Sequence, residues 1–232
     1  MVNISFTPPS SPFPTILPMI GALGSFTRPS ADITQVQDLY LHGYVSSRIM
    51  NLSRTPSQPD GLPVCVSTTH VDGLVLSLTP FTHNYNYRSA TVFGHATLVT
   101  DPDEKMYALR IITDSVVPGR WEGSRTPPTA GEMGATGVLK VKIAAGSAKV
   151  RMGGPNDDKA DLADGPLRER VWAGVVPVYQ VYGEPIPAAY NKAEAVPGYI
   201  AEFVADVSKE NREQAVEAAK KIIPKKVVDD EA

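Results

Sequence analysis

The chain has 232 residues, with 22 Lys and Arg against 25 Asp and Glu and a formal net charge of -3. That balance gives no electrostatic case for a nucleic-acid or polyanion partner, and a single Cys excludes a disulfide framework and a Cys-cluster zinc site. Hydrophobic residues at 42% can bury a core, while 21 Pro and 18 Gly argue for strands joined by turns rather than a helical bundle.

The chain opens with Val2–Phe6, which alternates like a strand. No charged residue precedes Arg28, and Pro8, Pro9, Pro12, Pro14 and Pro18 interrupt the apolar residues. Neither a signal peptide nor a membrane span is therefore predicted, and a cytoplasmic location is expected. Phe13–Ile20, with two prolines, reads as an edge or bulged strand. Asp38–Gly43 reads as a strand, Ser46–Arg54 as a short helix, and Thr55–Gly61 as a loop. Leu62–Ser67 and Val71–Leu78 read as two strands, with a turn or bulge at Val71-Asp72-Gly73. Arg88–Thr100 reads as one long strand.

Asp101-Pro102-Asp103-Glu104 carries an N-cap, a first-turn Pro and the spacing of a capping box. The following helix has Met106, Leu109, Ile112 and Val116 as its apolar stripe and stops at Pro118-Gly119. Gly123–Gly134 reads as loop. Gly137–Ile143 alternates, and Ser147–Arg151 continues it. Gly153–Asp164 reads as a mobile polar loop and Val171–Tyr182 as the last strand. From Pro197 the spacing turns helical, with Tyr199, Ile200, Phe203, Val204 and Val207 on one stripe. The acidic end Asp229–Glu231 reads as a disordered tip. The sum is a mainly β, α+β fold: a barrel with peripheral helices.

Few residues point to chemistry. None of His42, His70, His83 and His95 is spaced from another His or a Cys as metal ligands are, so no metal site is predicted. Cys65 lies in an apolar strand and reads as a small hydrophobe. Leu39–Arg48 is the clearest local signal. A strand delivers the chain to Gly43, then Ser46, Ser47 and Arg48 open a helix, which suits a phosphate through hydroxyls, helix amides and a forked cation. A plain Ser cap with a surface Arg fits the same residues. His83–Ser89 places Tyr85, Tyr87, two amides and Arg88 at a strand mouth, as a flat heteroaromatic ligand requires or as a polar hairpin loop would. Lys149 and Arg151 form a basic pair on one face of a strand.

Taken in order, Leu39–Arg48, Asn86–Ala96, Asp101–Lys105, Pro118–Trp121, Ser147–Arg151 and Val171–Pro177 closely resemble the flavin-nucleotide-binding branch of the pyridoxamine 5'-phosphate oxidase-like family, which includes relatives of 5-nitroimidazole resistance reductases. The resemblance covers roughly residues 2–182. It implies an FMN-binding split β-barrel over residues 1–185 and a C-terminal helical extension over 186–232. It also implies a homodimer with FMN at the interface and a flavin-dependent oxidoreductase whose substrate and catalytic side chains the sequence does not name. Site residues carried over from the resemblance are Thr15, Leu17 and Pro18 against the flavin ring and His42 and Gly43 beside it. Ser46, Ser47 and Arg48 fall at the phosphate, Tyr87, Arg88 and Ser89 in the pocket, and Lys149 and Trp172 at further motif positions. Two departures stand out: Ile49 replaces a second basic residue, and the Arg-containing leader of relatives is not seen before the first strand. A non-catalytic flavin-binding or interaction module, or a barrel binding haem through His42 or His70 or binding a deazaflavin, are the alternatives.

Overall fold

The computed structural model describes residues 1–32, 34–35, 37–54 and 60–221. Part of the predicted loop at 55–61 and the acidic end lie outside these residues. The chain divides into two compact units, Met1–Thr68 with Ala90–Ala148, and Thr69–Ser89 with Lys149–Ala232.

The first unit holds β1 (Val2–Phe6), β2 (Thr15–Met19), β3 (Gly21–Gly24), β4 (Asp38–Tyr44) and α1 (Arg48–Leu52). It also takes the start of β5 (Leu62–Leu76), the end of β6 (Asn84–Leu98), α2 (Pro102–Val116), α3 (Ala130–Ala135) and most of β7 (Thr136–Arg151). The strands follow the order β2-β1-β5-β6-β7-β4-β3. The two ends of that order, β2 and β3, are neighbours in the chain, joined by Ile20 alone, whose carbonyl accepts a hydrogen bond from the His42 N–H at 3.4 Å. The two edge strands are thus joined by the chain rather than by a ladder and the sheet stays unclosed, consistent with the split barrel that the resemblance implies.

Leu39-Tyr40-Leu41 is buried residue by residue because β4 is covered on both faces. Leu39 and Leu41 join Ile4, Phe6, Val64, Val66, Leu139 and Val141 in the barrel core. Tyr40 points the other way, onto Ala108 and Ile112 of α2 and Val138. Each such aliphatic side chain contributes about 2 kcal/mol on burial. The Tyr40 hydroxyl donates to Glu104 Oε1 at 2.7 Å, and Lys140 Nζ donates to the same oxygen at 2.8 Å. Burial, and then Glu104, push the Tyr40 hydroxyl far above the usual phenol range. Desolvation pulls the Lys140 ammonium down, but Glu104 and Asp38 outweigh it and hold it above its ordinary value.

That network corrects the expected capping box. Asp101 does cap α2, accepting from the Asp103 and Glu104 amides, but the Glu104 side chain turns inward to Tyr40 and Lys140 instead of back to the cap. The stripe shifts with it, so Ala108 and Ile112 are buried while Val116 is exposed. A closed capping box forms instead at Thr129 and Glu132, where α3 replaces part of the predicted loop. Thr129 N–H donates to Glu132 Oε2 at 2.7 Å and Arg125 pairs with Glu132 Oε1 at 2.5 Å. Arg125 first, then Thr129, lower the Glu132 carboxyl to about 2. A carboxyl depressed in the folded state stabilises that state above its unfolded pKa and loses the contribution as pH falls through the folded value. NMR titration of the Glu132 carboxyl carbon is therefore expected to show it still ionised at about pH 3, below the ordinary midpoint near 4.3. An ordinary midpoint would remove the Arg125–Thr129 bracket.

The second unit holds the end of β5, the start of β6, the end of β7, α4 (Lys159–Ala163), α5 (Gly165–Arg170), β8 (Gly174–Pro177) and α6 (Gly198–Lys220). β8 pairs antiparallel with β5 in the register Gly73↔Pro177 to Leu76↔Gly174. Three expectations change here. β5 is one strand, because Asp72 is buried and bound rather than turned out. The polar loop at 153–164 contains α4 and a buried Asp157, whose carboxylate accepts from the Leu78 amide at 2.9 Å. The last strand shortens to four residues, after which the chain runs to α6 without regular structure. The helical end beginning at Pro197 is as expected, Pro197 being the N-cap residue of α6.

Candidate functional site

In the first unit, β2, the end of β4 and α1 converge. A Cβ on Gly43 would lie 3.4 Å from both Met19 Cε and Met50 Cε, so the last residue of β2 and the buried Met50 of α1 meet over this glycine. Gly43 is opposite Gly137 in the β4–β7 register, and a Cβ on Gly137 would come within 2.8 Å of Met50 Sδ. The paired glycines are what let α1 sit directly on the strand ends. Thr15, Leu17 and Pro18 stand opposite Phe6, Ile4 and Asn3 on β1. Leu17 packs on the barrel core and Pro18 is exposed. β2 is at one end of the strand order, so its far edge has backbone groups to offer. Pro18 lacks an amide hydrogen, so it is the one residue of β2 that has no backbone donor to offer.

The loop from β4 into α1 is braced from several sides. Ser47 N–H donates to Tyr44 O at 2.9 Å, and Val45 N–H to Ala135 O at 3.0 Å. Asn51 Nδ2 donates to Ser46 O at 3.0 Å, and Arg54 reaches Val45 O at 3.0 Å and Asn51 Oδ1 at 2.6 Å. Within this frame the Ser47 hydroxyl is buried without a partner and does not cap its own helix. His42 Nδ1 is likewise buried and unpartnered. Arg48 is exposed and spends one N–H on Ser10 Oγ at 2.9 Å. A buried hydroxyl left unsatisfied costs about 1–3 kcal/mol, so a braced loop that keeps one next in sequence to an exposed arginine fits an oxyanion ligand.

Ile49 is buried in the core, so a cation at that position would point inward. Arg54, two residues past the end of α1, brings the second positive charge to the loop through its bond to Val45 O. The sequence singled out neither Arg54 nor Ser10. Only their proximity in the fold identifies them.

The remaining predicted residues lie in the second unit. Ser89 Oγ donates to Lys149 O at 3.2 Å, and Lys149 Nζ lies 5.8 Å from the Tyr87 ring centroid, a cation–π distance. These three are brought together. Arg88 instead gives Nε and Nη2 to Asp72, at 2.8 and 3.0 Å. Hydrogen bonding to Asp72 raises the Arg88 guanidinium above its usual range. Its fork is taken by a nearly buried carboxylate that sequence spacing did not reveal. Trp172 is 64% exposed and its ring lies over Gly174, where a Cβ would fall 2.8 Å from Cη2.

Among the described residues no helix is long and apolar enough to cross a membrane. No curated protein matches the chain. Among solved structures, the flavocytochrome Anf3 from Azotobacter vinelandii is 29% identical, with a TM-score of 0.67 over 87% of this chain and 83% of that one. The FAD and heme binding protein from Mycobacterium smegmatis is 28% identical, with a TM-score of 0.69 over 88% of each chain. The model of the family described as pyridoxamine 5'-phosphate oxidase matches residues 1–150. The split barrel and this match over more than half of its length establish that the chain belongs to the pyridoxamine 5'-phosphate oxidase family.

Proposed function

We propose that the protein is a flavin-binding oxidoreductase whose first unit holds the flavin. Ser46, Ser47 and Arg48 would bind the phosphate next to the ribityl chain, with Arg54 nearby. His42, Gly43 and the open edge of β2 around Thr15, Leu17 and Pro18 would face the ring. The carrying observation is the unpartnered Ser47 hydroxyl in a braced loop beside Arg48. A bound flavin supplies hydride and single-electron chemistry, and the chain supplies orientation and electrostatics. FMN and FAD share the ring and the first phosphate, the parts this loop addresses. We take the flavin to be FAD rather than FMN, because the two similar structures that span most of this chain are named for FAD in one case and as a flavocytochrome in the other.

The second unit supports haem binding as well. The family match ends at residue 150, whereas the similarity to the two haem-associated structures covers 87% and 88% of this chain. Two of the four histidines are in that unit. His83 Nδ1 accepts the Ser77 N–H at 2.9 Å, so its neutral ring carries the proton on Nε2 and has no lone pair left to give a metal. The His70 side chain is exposed on β5 and makes no hydrogen bond among the described residues, so it is the residue that would hold a haem iron.

The absorbance spectrum of the protein purified without added cofactor, followed by chromatography of the released chromophore, tests both assignments. The expected result is a flavin spectrum with FAD released, plus a Soret band that His70→Ala removes while the flavin stays. Released FMN would reverse the choice of flavin, and a Soret band unchanged in His70→Ala would remove His70 as the ligand.

A further inference from the structure

The second unit contains a cavity of about 370 Å³ that neither the flavin nor the haem assignment uses. It forms where the chain turns back after β7. Gly153 takes a φ of 96°, the left-handed region in which a side chain is strained, and the chain then reaches the turn between β5 and β6 at Asp157. The Asp157 carboxylate makes that junction. Its Oδ1 accepts the Leu78 N–H at 2.9 Å and the Thr82 hydroxyl at 3.3 Å. The short helices α4 and α5 bring up the other side. Asp164 caps α5 by accepting the Leu167 N–H at 2.9 Å, and the next residue, Arg168, lines the cavity and donates Nη1 to Leu162 O at 3.3 Å. Leu78, Leu162, Val171 and Ala173 supply apolar wall.

Two opposite charges line this one cavity without meeting. Asp157 is only 8% exposed, and neither it nor Arg168 makes an ion pair among the described residues. Both bonds to Asp157 use the same oxygen. Oδ2 accepts no hydrogen bond among the described residues and yet is not sealed from solvent, so the cavity is what it opens onto. Holding the turn does not account for the charge, because an asparagine oxygen would accept the same two bonds. The single bond from Arg168 to a carbonyl does not require a guanidinium either. A carboxylate taken out of water without a cation is unfavourable, and a ligand cation removes that cost.

Size and lining together define the occupant. Small-molecule sites run from about 300 to 1,000 Å³, and this cavity is at the lower end of that range. Its chemistry asks for a cation at Asp157, an anion at Arg168 and an apolar body between them. A guanidinium fork matches a carboxylate in particular.

We propose that this cavity binds a small zwitterionic amino acid with an apolar side chain. Its ammonium donates to Asp157 Oδ2, its carboxylate accepts from Arg168, and its side chain lies against Leu78 and Val171. The site is separate from the proposed haem ligand, since Leu78 follows His70 by eight residues, about 26 Å of extended chain. It shares no residue with the flavin loop of the first unit, so neither cofactor assignment bears on it.

Isothermal titration calorimetry of the full chain with L-leucine and L-phenylalanine is the test, beside two analogues that each lack one charge, 3-methylbutylamine and 4-methylpentanoate. Saturable binding of one L-leucine or L-phenylalanine per chain is expected, with either analogue about 10-fold weaker or worse. Arg168→Gln should weaken L-leucine by about 10-fold and leave the amine unchanged. Asp157→Asn keeps an acceptor for Leu78 and Thr82, and should weaken L-leucine by about 10-fold while leaving the acid unchanged. Arg168 is exposed, so its variant keeps the fold whatever Asp157→Asn does, as circular dichroism would verify. In amide NMR spectra L-leucine should shift the Leu78 and Thr82 resonances. No saturable binding of either amino acid, L-leucine binding undiminished in Arg168→Gln, or binding that moves neither amide would overturn the proposal.

Discussion

Arg48→Ala is expected to weaken flavin binding by about 10- to 100-fold, the range of one or two charge-assisted hydrogen bonds to a phosphate. Arg48 is exposed and makes a single hydrogen bond to Ser10, so its loss should leave thermal stability almost unchanged. Arg48→Lys keeps the charge but not the fork and should fall between the two proteins. The affinity should decline with added salt in the wild type and do so less in Arg48→Ala. Ser47→Ala separates binding from folding further. Its hydroxyl is buried with no partner, so removing it should leave stability equal or slightly higher while flavin affinity drops several-fold. Equilibrium fluorescence titration checks each variant. A Ser47→Ala protein that binds flavin as tightly as the wild type would show that this hydroxyl is not reserved for the ligand.

The largest stability loss is expected from Asn86→Ala. Asn86 is fully buried, and its Nδ2 donates to Gly153 O at 3.1 Å and Ala218 O at 3.4 Å. Its Oδ1 accepts from Arg151 Nη1 at 2.6 Å. One side chain thus ties β6 to the end of β7, the turn at Gly153 and the last part of α6. Alanine would remove three hydrogen bonds of this buried side chain, although Arg151 keeps Gly154 O and Ala218 O keeps the Gly153 N–H, a loss of about 2–4 kcal/mol. In a chain of this size that corresponds to a fall in Tm of roughly 5–15 °C. Hydrogen exchange should show the loss concentrated at the C-terminal turns of α6. Asn86→Asp should cost nearly as much, because it keeps the acceptor for Arg151 but removes both donors. A loss below about 0.5 kcal/mol would mean that water replaces these bonds without penalty.

The sequence was most legible where local chemistry and burial agree. Val2–Phe6 alternates because one face meets the barrel core, and Leu139–Ile143 alternates for the same reason, past Val138, which is buried against α2. The Leu39-Tyr40-Leu41 run lacks that alternation because β4 is covered on both sides. Asp101 and Pro102 start α2 as their capping chemistry dictates. Failures came from tertiary partners that lie far away in the chain. Asp72-Gly73 resembles a turn, but Arg88, 16 residues on, holds the carboxylate inside a continuous strand. Glu104 has capping-box spacing, yet Tyr40 and Lys140 offer it partners in a drier place. Thr129 and Glu132 do form a capping box, but no apolar run follows them to announce a helix.

The candidate site was half legible. A Gly followed by two serines and an arginine marked the loop, since phosphate binding depends on residue types that sit close in sequence. The framing residues Ser10, Asn51 and Arg54 act through the fold, and no local pattern identifies them. Ile49 gave the opposite lesson. Its side chain is core, and the second charge enters from Arg54 instead. Tyr87, Ser89 and Lys149 do meet, while Arg88 serves Asp72.

Titration of the flavin-free protein with FAD, and separately with FMN, followed by quenching of flavin fluorescence, tests the central claim most directly. The account predicts saturable binding of one flavin per chain, tighter for FAD, weakened by Arg48→Ala and unaffected by His70→Ala. Absence of saturable binding by either flavin, or identical binding in wild type and Arg48→Ala, would contradict it.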